Sequence, residues 1–181
     1  MNLTREHANK WRNADIIFHP IGVIHSEHTE QDNTPIQGIF NPSVGYIEVF
    51  EENTDGLKDI ESFSHIYALY YFDRATAKNL IQKPFLDGEK ERGIFAIRHF
   101  NRPNPIGLSI MELLEVDGNI LKVSGVDVLD GTPVIDIKPY VRQFDYREEV
   151  KSGWVDTKHM DDIAEWNCTP KELRNRDRTT K

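Results

Sequence analysis

The sequence contains 181 residues with a formal net charge of −8, and 38% of the residues are hydrophobic. This length and composition predict one soluble globular domain, and no apolar run is long enough to span a membrane. Cys168 is the only cysteine, which excludes a disulfide framework or a cysteine-based zinc site within one chain. Because the N-terminus also lacks the apolar core of a secretory signal, we expect a cytoplasmic protein. The negative charge argues against a surface covered in nucleic-acid-binding charge, although a local basic patch remains compatible with it.

The first half of the chain reads as short strands separated by long polar connections. The segment 4–13 predicts a short helix in an N-terminal extension, 1–17. Strands are expected at 16–27 (interrupted at Pro20), at 44–52 and at 65–73, where apolar and β-branched residues alternate or run together. The Pro- and Gly-containing segments 29–43 and 74–91 predict long loops, and 53–63 has room for one helical turn.

The second half continues the β pattern up to about residue 142. Strands are expected at 92–100, at 106–116 (where a short helix also fits the periodicity), at 120–129 and within 130–141. A hairpin turn is predicted at 117–119, and Asp130-Gly131 carries the signal of a type I′ hairpin. Residues 18–142 are therefore predicted to form one β domain, a barrel or a sandwich. Residues 143–181 form a partly helical extension, with a helix start at Thr169 and Pro170.

The stretch RPNPIGLS, 102–109, is unusual because two prolines bracket one asparagine. Proline fixes φ, lacks an N–H and pushes the preceding residue out of the helical region. The segment is therefore expected to be a rigid, extended connector between two apolar strands. Such a connector would hold Arg98 and Arg102 on defined sides of a cavity, and Gly107 would let a ligand approach the backbone.

Several catalytic and metal-binding motifs are absent. The sequence has no GxGxxG, no GxSxG and no HExxH. His25 and His28 lie three apart in an extended segment, so their side chains are expected to face opposite ways. No metal site is predicted.

Polar residues instead follow apolar strands in four segments: TPIQG (34–38), YFDR (71–74), AIRHFNRPNPIGLS (96–109) and VDVLDGTPVIDIKP (126–139). Barrels and sandwiches build ligand sites at such strand ends. Each segment alone also has an ordinary structural interpretation as a loop, a solvated strand end or a turn. The four together favour a binding site.

This constellation resembles the TsaA-like family, whose characterised member is an S-adenosylmethionine-dependent tRNA methyltransferase. The residues that carry the match are PIQG (35–38), SFSHIYALYYFDR (62–74), RGIFAIRHFNRPNPIGLSIMELLEV (92–116) and VDVLDGTPVIDIKPYV (126–141). The resemblance covers about residues 18–141. It implies a mainly β fold, a single-sheet β-barrel with short peripheral helices including a helical C-terminal tail, which works as a homodimer. By the family pattern, the cofactor S-adenosylmethionine would contact Pro35, Ile36, Gln37, Asp73, Arg74, Arg98, Leu108, Asp127, Val128, Leu129 and Asp130.

Methyl transfer to the N6 nitrogen of threonylcarbamoyl-adenosine in a tRNA anticodon loop would need a group that accepts the displaced proton. The nearby candidates are Asp130 first, then Asp127, then Asp136. Arg98 fits a clamp on the cofactor's carboxylate. The predicted substrate-binding residues are Arg102, Asn104 and Lys138.

Two departures from the family pattern leave the methyl acceptor open. The strand end YFDR carries Asp-Arg where the tRNA enzyme carries His-Gln, and only about forty residues follow the barrel. The alternatives are an S-adenosylmethionine-binding module without tRNA activity and a methyltransferase acting on a small molecule. A homodimer is expected also because the long loops carry apolar residues that need cover: Ile39, Phe40, Leu80 and Phe85.

Overall fold

The computed structural model of the chain describes residues 5–86 and 90–157. Its eight strands are β1 (Gly22–His25), β2 (Val44–Val49), β3 (His65–Tyr71), β4 (Ile81–Gln82), β5 (Arg92–Gly93), β6 (Ile106–Asp117), β7 (Ile120–Ser124) and β8 (Thr132–Pro139). The α-helices are α1 (Arg5–Arg12) and α2 (Arg142–Asp145). The 3₁₀ turns span Gln31–Asn33, Gly38–Phe40, Glu51–Leu57, Ile60–Ser62, Ile94–Ala96 and Gly153–Thr157.

Six of these strands close into one antiparallel barrel in the order β1-β2-β7-β6-β3-β8, and β8 pairs back onto β1. Closure leaves no unpaired sheet edge in the barrel. The strands β4 and β5 form a separate two-stranded ribbon. The predicted mainly β fold and single-sheet barrel are confirmed.

Alternation along the strands builds the core inside the barrel. In β3 every second residue is buried, and in β6 the buried positions are Gly107, Ser109 and Met111. Ile66 and Met111 are fully buried, whereas the neighbouring Ile110 is half exposed. The inward positions are apolar except near one mouth, where Tyr70 and Ser109 lie. At that mouth, polar groups therefore come from these inward side chains and from the surrounding loops.

The strand predicted at 92–100 is wrong beyond its first two residues. Ile94–Ala96 form a 3₁₀ turn, and no strand follows until Ile106. Ile94 and Ile97 are both buried, whereas Phe95 is 79% exposed. Residues three apart share a face in a 3₁₀ turn, so this spacing buries two isoleucines without a strand.

The strand predicted at 120–129 ends at Ser124, because Gly125 takes φ +86° and turns the chain. A hairpin at Asp130-Gly131 is also wrong. Only Gly131 of this pair has a positive φ, and β7 and β8 are not neighbours in the barrel. A type I′ turn needs positive φ at both central residues. The predicted hairpin at 117–119 is confirmed, since Asp117 pairs with Ile120 across Gly118 and Asn119.

Outside the barrel, the observed elements match the sequence predictions only in part. The N-terminal helix is confirmed as α1, and the segment 106–116 is a strand. Residues 153–157 form a 3₁₀ turn, in which the Trp154 Nε1 donates to the Ala96 carbonyl at 2.8 Å. The rest of the predicted tail helices, with Cys168, Thr169 and Pro170, lies outside the described residues. No helix in the described ranges is long and apolar enough to cross a membrane.

Candidate functional site

A cavity of about 320 Å³ opens at the mouth of the barrel where β3 ends and β6 begins. Four segments surround it: the loop 31–37, the turn 72–75 after β3, residues 98–102 and residues 127–129 before β8. The structure brings together in its lining all the predicted cofactor contacts but one: Pro35, Ile36, Gln37, Asp73, Arg74, Arg98, Leu108, Asp127, Val128 and Leu129. A volume of this size suits a small organic ligand.

Asp127 is the acidic group that the barrel holds most firmly at this cavity. Its Oδ1 accepts a hydrogen bond from the Ser109 hydroxyl at 2.6 Å, and its Oδ2 accepts from the Gly38 backbone N–H at 3.0 Å. The Tyr70 hydroxyl lies 2.9 Å from Ser109 Oγ. Because Ser109 has one proton and gives it to the carboxylate, Tyr70 donates to Ser109. Tyr70, Ser109 and Asp127 thus form a chain of donors that ends on the carboxylate.

The surroundings of this chain shift two pKa values upward. Burial raises the pKa of Asp127 above 3.8, although the hydrogen bonds from Ser109 and Gly38 oppose that rise. Burial, and next the Asp127 charge, raise the pKa of Tyr70 well above 10.0. Tyr70 therefore stays a donor at neutral pH, and Asp127 is a carboxylate whose affinity for a proton exceeds that of a solvated one.

Two arginines connect the loops around the cavity. The Arg98 guanidinium donates to the Gln37 side-chain oxygen at 2.8 Å. The Arg74 guanidinium donates to the backbone carbonyl of Asp130 at 2.8 Å. Arg98 is exposed and retains further donors, since a guanidinium carries five N–H groups. It is therefore available to an anionic group that enters the cavity.

Three predicted site residues lie elsewhere. Asp130 is outside the lining, and its Oδ1 accepts from the Ser26 backbone N–H at 3.1 Å. Lys138 is exposed and pairs with Asp136 at 2.6 Å, and Asn104 is exposed in the connector. Of the predicted substrate contacts, only Arg102 reaches the cavity.

An aromatic wall completes the cavity, and the sequence interpretation missed it. Its members are Phe72, Phe85, His99 and Phe100. The His99 ring lies 4.5 Å from the ring of Phe85 and 4.4 Å from that of Phe100. Phe85 comes from the loop 74–91, where the sequence predicts an apolar residue that a second copy covers; here it packs inside the chain instead. The available signal was the pair of adjacent rings beside Arg98.

Two glycines bring backbone close to the lining. A Cβ at Gly107 would lie 2.0 Å from the Tyr70 ring, and a Cβ at Gly38 would lie 1.9 Å from the Gly125 carbonyl oxygen. Gly107 therefore makes room for Tyr70, and not for a ligand as expected. Among the described residues, no cluster of three or more histidine, cysteine or acidic side chains is placed to hold a metal ion.

A closed antiparallel barrel with a mixed polar and aromatic cavity at one mouth defines a β-barrel ligand-binding domain, which is unlike the open α/β sheets that bind nucleotides. The chain belongs to the family of the tRNA-methyltransferase O N-terminal domain, whose model matches residues 23–146. The resemblance drawn from the four sequence segments is thereby confirmed.

Similar proteins cover most of this chain. An S-adenosyl-L-methionine-binding protein of Archaeoglobus fulgidus is 47% identical over 131 residues, which cover 72% of this chain and 93% of the relative. The tRNA (adenine(37)-N6)-methyltransferase of Escherichia coli is 38% identical over 134 residues, covering 68% of this chain and 57% of that enzyme. A crystal structure of TrmO from Pseudomonas aeruginosa gives a TM-score of 0.66 at 33% identity, covering 78% of this chain and 63% of that chain. This chain thus spans less than two thirds of the last two proteins.

Proposed function

We propose that this protein is an S-adenosylmethionine-dependent methyltransferase that methylates N6 of an adenine in tRNA. The observation that carries the proposal is the cavity itself, in which Arg98 and Asp127 face one space together with an aromatic wall. The family membership and the names of the bacterial and archaeal relatives support it.

The donor set of the cavity fits S-adenosylmethionine. The free donors of Arg98 suit the methionyl carboxylate, for which a planar guanidinium offers two parallel hydrogen bonds. The Asp127 carboxylate suits the positive charge of the sulfonium or of the α-ammonium group. The buried and half-buried apolar surface of Pro35, Val128 and Leu129 suits an adenosyl group. Bound in this way, the cofactor supplies an electrophilic methyl group.

The residues of the chain would then position the acceptor and receive its proton. Transfer forms a bond from the acceptor nitrogen to the methyl carbon, the sulfur keeps the electron pair of the broken bond, and the nitrogen must release one proton. Holding the acceptor nitrogen in line with the methyl carbon at near-attack distance supplies most of the rate enhancement. We assign the proton to Asp127, in place of Asp130, because Asp127 lines the cavity and its raised pKa favours proton uptake.

Arg102 is the basic group that we assign to the acceptor RNA. It lines the cavity beside His99, where a phosphate of the anticodon loop would pair with it. Arg142, Arg147 and Lys151 follow the barrel and are exposed, interspersed with the acidic Asp145, Glu148 and Glu149. Arg142, Arg147 and Lys151 would contribute a salt-dependent component of tRNA binding.

We further propose a cytoplasmic homodimer. Ile39 is 86% exposed and Leu80 is 65% exposed, so these two of the four expected interface residues remain uncovered in one chain. Phe40 and Phe85 are partly buried within the chain, and Phe85 packs on His99. A monomeric mass by light scattering at micromolar concentration would contradict the dimer.

The test is a methyl-transfer assay with S-adenosylmethionine labelled at the methyl group and bulk tRNA with or without threonylcarbamoyl-adenosine. The expected result is incorporation that depends on an adenine N6, located by nuclease digestion and mass spectrometry. Cofactor binding without incorporation would favour the alternative of a binding module, which the name of the Archaeoglobus relative suggests. Incorporation into a small molecule but not into tRNA would contradict the RNA acceptor.

A further inference from the structure

His99 is a buried side chain of the cavity wall to which the proposed transfer assigns no part. Only 5% of it is exposed, yet it lines the cavity. Its ring packs against both Phe85 and Phe100, with centroid distances of 4.5 and 4.4 Å, and those two rings also contact each other at 5.7 Å. Packing on both neighbours fixes the plane of the imidazole.

The hydrogen bond of His99 fixes its tautomer as well. The backbone N–H of Asn101 donates to Nδ1 at 3.0 Å, so Nδ1 must be the unprotonated nitrogen of a neutral ring. Burial, and next the charge of Arg102, lower the pKa of His99 to about 4, so the ring is neutral at pH 7. The proton then lies on Nε2, which makes no hydrogen bond to any described residue.

The Nε2–H group is also not sealed inside the protein. Among the described residues, His99 contributes no fully buried nitrogen that lacks a hydrogen-bond partner. The His99 Nε2 therefore retains accessible surface, and because His99 lines the cavity we infer that this surface faces it. A fixed, neutral N–H donor thus faces whatever the cavity binds.

The chemistry around this donor favours a flat, neutral, aromatic acceptor. An anion would be matched better by Arg98 or Arg102, which carry charge at the same cavity. A purine combines faces that stack on aromatic rings with ring nitrogens that accept one N–H each. We propose that His99 is a positioning residue whose Nε2–H donates a hydrogen bond to a ring nitrogen of a purine bound in this cavity. The inference rests on the proposed function, which supplies two such purines, one in the cofactor and one in the acceptor RNA.

The test removes the acceptor atom and the donor in turn. The full chain is titrated calorimetrically with S-adenosylhomocysteine and with its 1-deaza, 3-deaza and 7-deaza analogues, each of which replaces one ring nitrogen by C–H. The variants are His99→Phe, which keeps an aromatic ring without a donor, and His99→Gln, which keeps an N–H donor and an acceptor for Asn101. His65→Phe is the matched control, since His65 lies on β3 outside the cavity lining.

The wild-type chain should prefer S-adenosylhomocysteine over one deaza analogue by about 3- to 10-fold, as expected for one neutral hydrogen bond. His99→Phe should bind the parent and that analogue equally, whereas His99→Gln should retain part of the preference and His65→Phe all of it. A uniform loss for every ligand would show that His99 only supports the wall, and would overturn the proposal. For methylthioadenosine, which lacks the amino-acid part, the substitution His99→Phe should weaken the affinity by the same factor as for S-adenosylhomocysteine. If His99→Phe leaves the affinity for methylthioadenosine unchanged, the contact lies on the carboxylate instead.

A second arm separates the two purines and the two proposals. If wild type shows no deaza preference for the cofactor, the same comparison is made with an anticodon stem-loop carrying adenine or a deazaadenine, at saturating S-adenosylhomocysteine. A preference that His99→Phe abolishes there assigns the contact to the acceptor base, and no preference in either arm overturns the inference. Failure of wild type to bind any of these purine ligands would instead overturn the proposed function together with it.

Discussion

The two walls of the cavity are built on different principles. On the barrel wall, Tyr70 and Ser109 belong to the paired strands β3 and β6. Asp127 lies between β7 and β8, and Ser109 together with the Gly38 N–H holds its carboxylate. On the loop wall, residues 31–37 and 98–102 have no strand partners, and the Arg98–Gln37 contact joins them. The difference teaches where each task belongs. In the proposed function, proton transfer, which needs a fixed geometry, is assigned to the barrel wall, and ligand recognition, which tolerates adjustment, is assigned to the loops.

The largest effect should come from the carboxylate on the barrel wall. Asp127→Asn keeps the shape and removes the group that accepts the proton, so methyl transfer should fall by roughly 10²- to 10⁴-fold. Steady-state kcat with labelled cofactor measures this. Asp136→Asn is the control, because Asp136 lies outside the cavity and pairs with Lys138. Equal rates for Asp127→Asn and the wild type would remove Asp127 from the chemistry.

The next effect tests how rigid the barrel wall is. Gly107→Ala would place a Cβ 2.0 Å from the Tyr70 ring, which the strand pairing cannot relieve without shifting backbone. Overpacking of this kind should lower the free energy of unfolding by roughly 1–3 kcal/mol, measured by urea denaturation. Gly56→Ala is the control, since a Cβ there meets nothing within 4 Å. A fully stable Gly107→Ala would mean that this wall adapts as the loops do.

On the loop wall, Arg98→Lys should act on binding alone. Lysine keeps the charge but loses the fork that holds a carboxylate with two bonds. Affinity for S-adenosylmethionine should weaken by roughly 1–3 kcal/mol, while the midpoint of thermal unfolding without ligand should stay at the wild-type value. Normal cofactor affinity in this variant would show that the carboxylate is bound elsewhere.

A pH series should separate the burial of Asp127 from its chemistry. Its folded-state pKa is raised above 3.8, so the folded protein binds this proton more tightly than the unfolded chain. The stabilising contribution is therefore present below pH 3.8 and is lost as the pH rises through the folded-state pKa. Relative to the wild type, Asp127→Asn should gain stability over that rise and keep a constant difference above it. A relative stability that falls with pH would contradict the burial argument.

The smallest effect is expected at Asp130. Its carboxylate accepts the Ser26 N–H outside the cavity, and its backbone carbonyl, not its side chain, binds Arg74. Asn can accept the same Ser26 hydrogen bond, so Asp130→Asn should transfer methyl groups within about twofold of the wild type. Its stability should also change little, because substitutions at exposed positions rarely change stability by more than about 0.5 kcal/mol. A hundredfold loss would return the role of base to Asp130.

The same two walls explain what could be predicted from the sequence. The strand at 44–49 follows from alternation and the strand at 65–71 from a nearly continuous apolar run, whereas the pattern at 106–117 also fits a short helix. The segment 92–104 does not alternate in that way. Its burial of Ile94 and Ile97 arises from a 3₁₀ turn, and its position against Trp154 depends on residues more than fifty positions away.

The candidate site divides in the same manner. Segments that end strands were recognised as loop sites, and ten of the predicted cofactor contacts meet in one cavity. The roles were harder, since the sequence places Asp127 and Asp130 three residues apart without telling which carboxylate turns inward. That choice depends on Ser109 and Gly38, which come from two other segments of the chain. The contribution of Phe85 and His99 to one wall likewise arises only from tertiary packing.

The most direct test of the central claim is a calorimetric titration of the full chain with S-adenosylmethionine at neutral pH. The account predicts saturable binding of one molecule per chain, with an accompanying rise in the midpoint of thermal unfolding. No heat and no thermal shift at a cofactor concentration on the order of millimolar, which corresponds to a binding free energy weaker than about −4 kcal/mol, would contradict it.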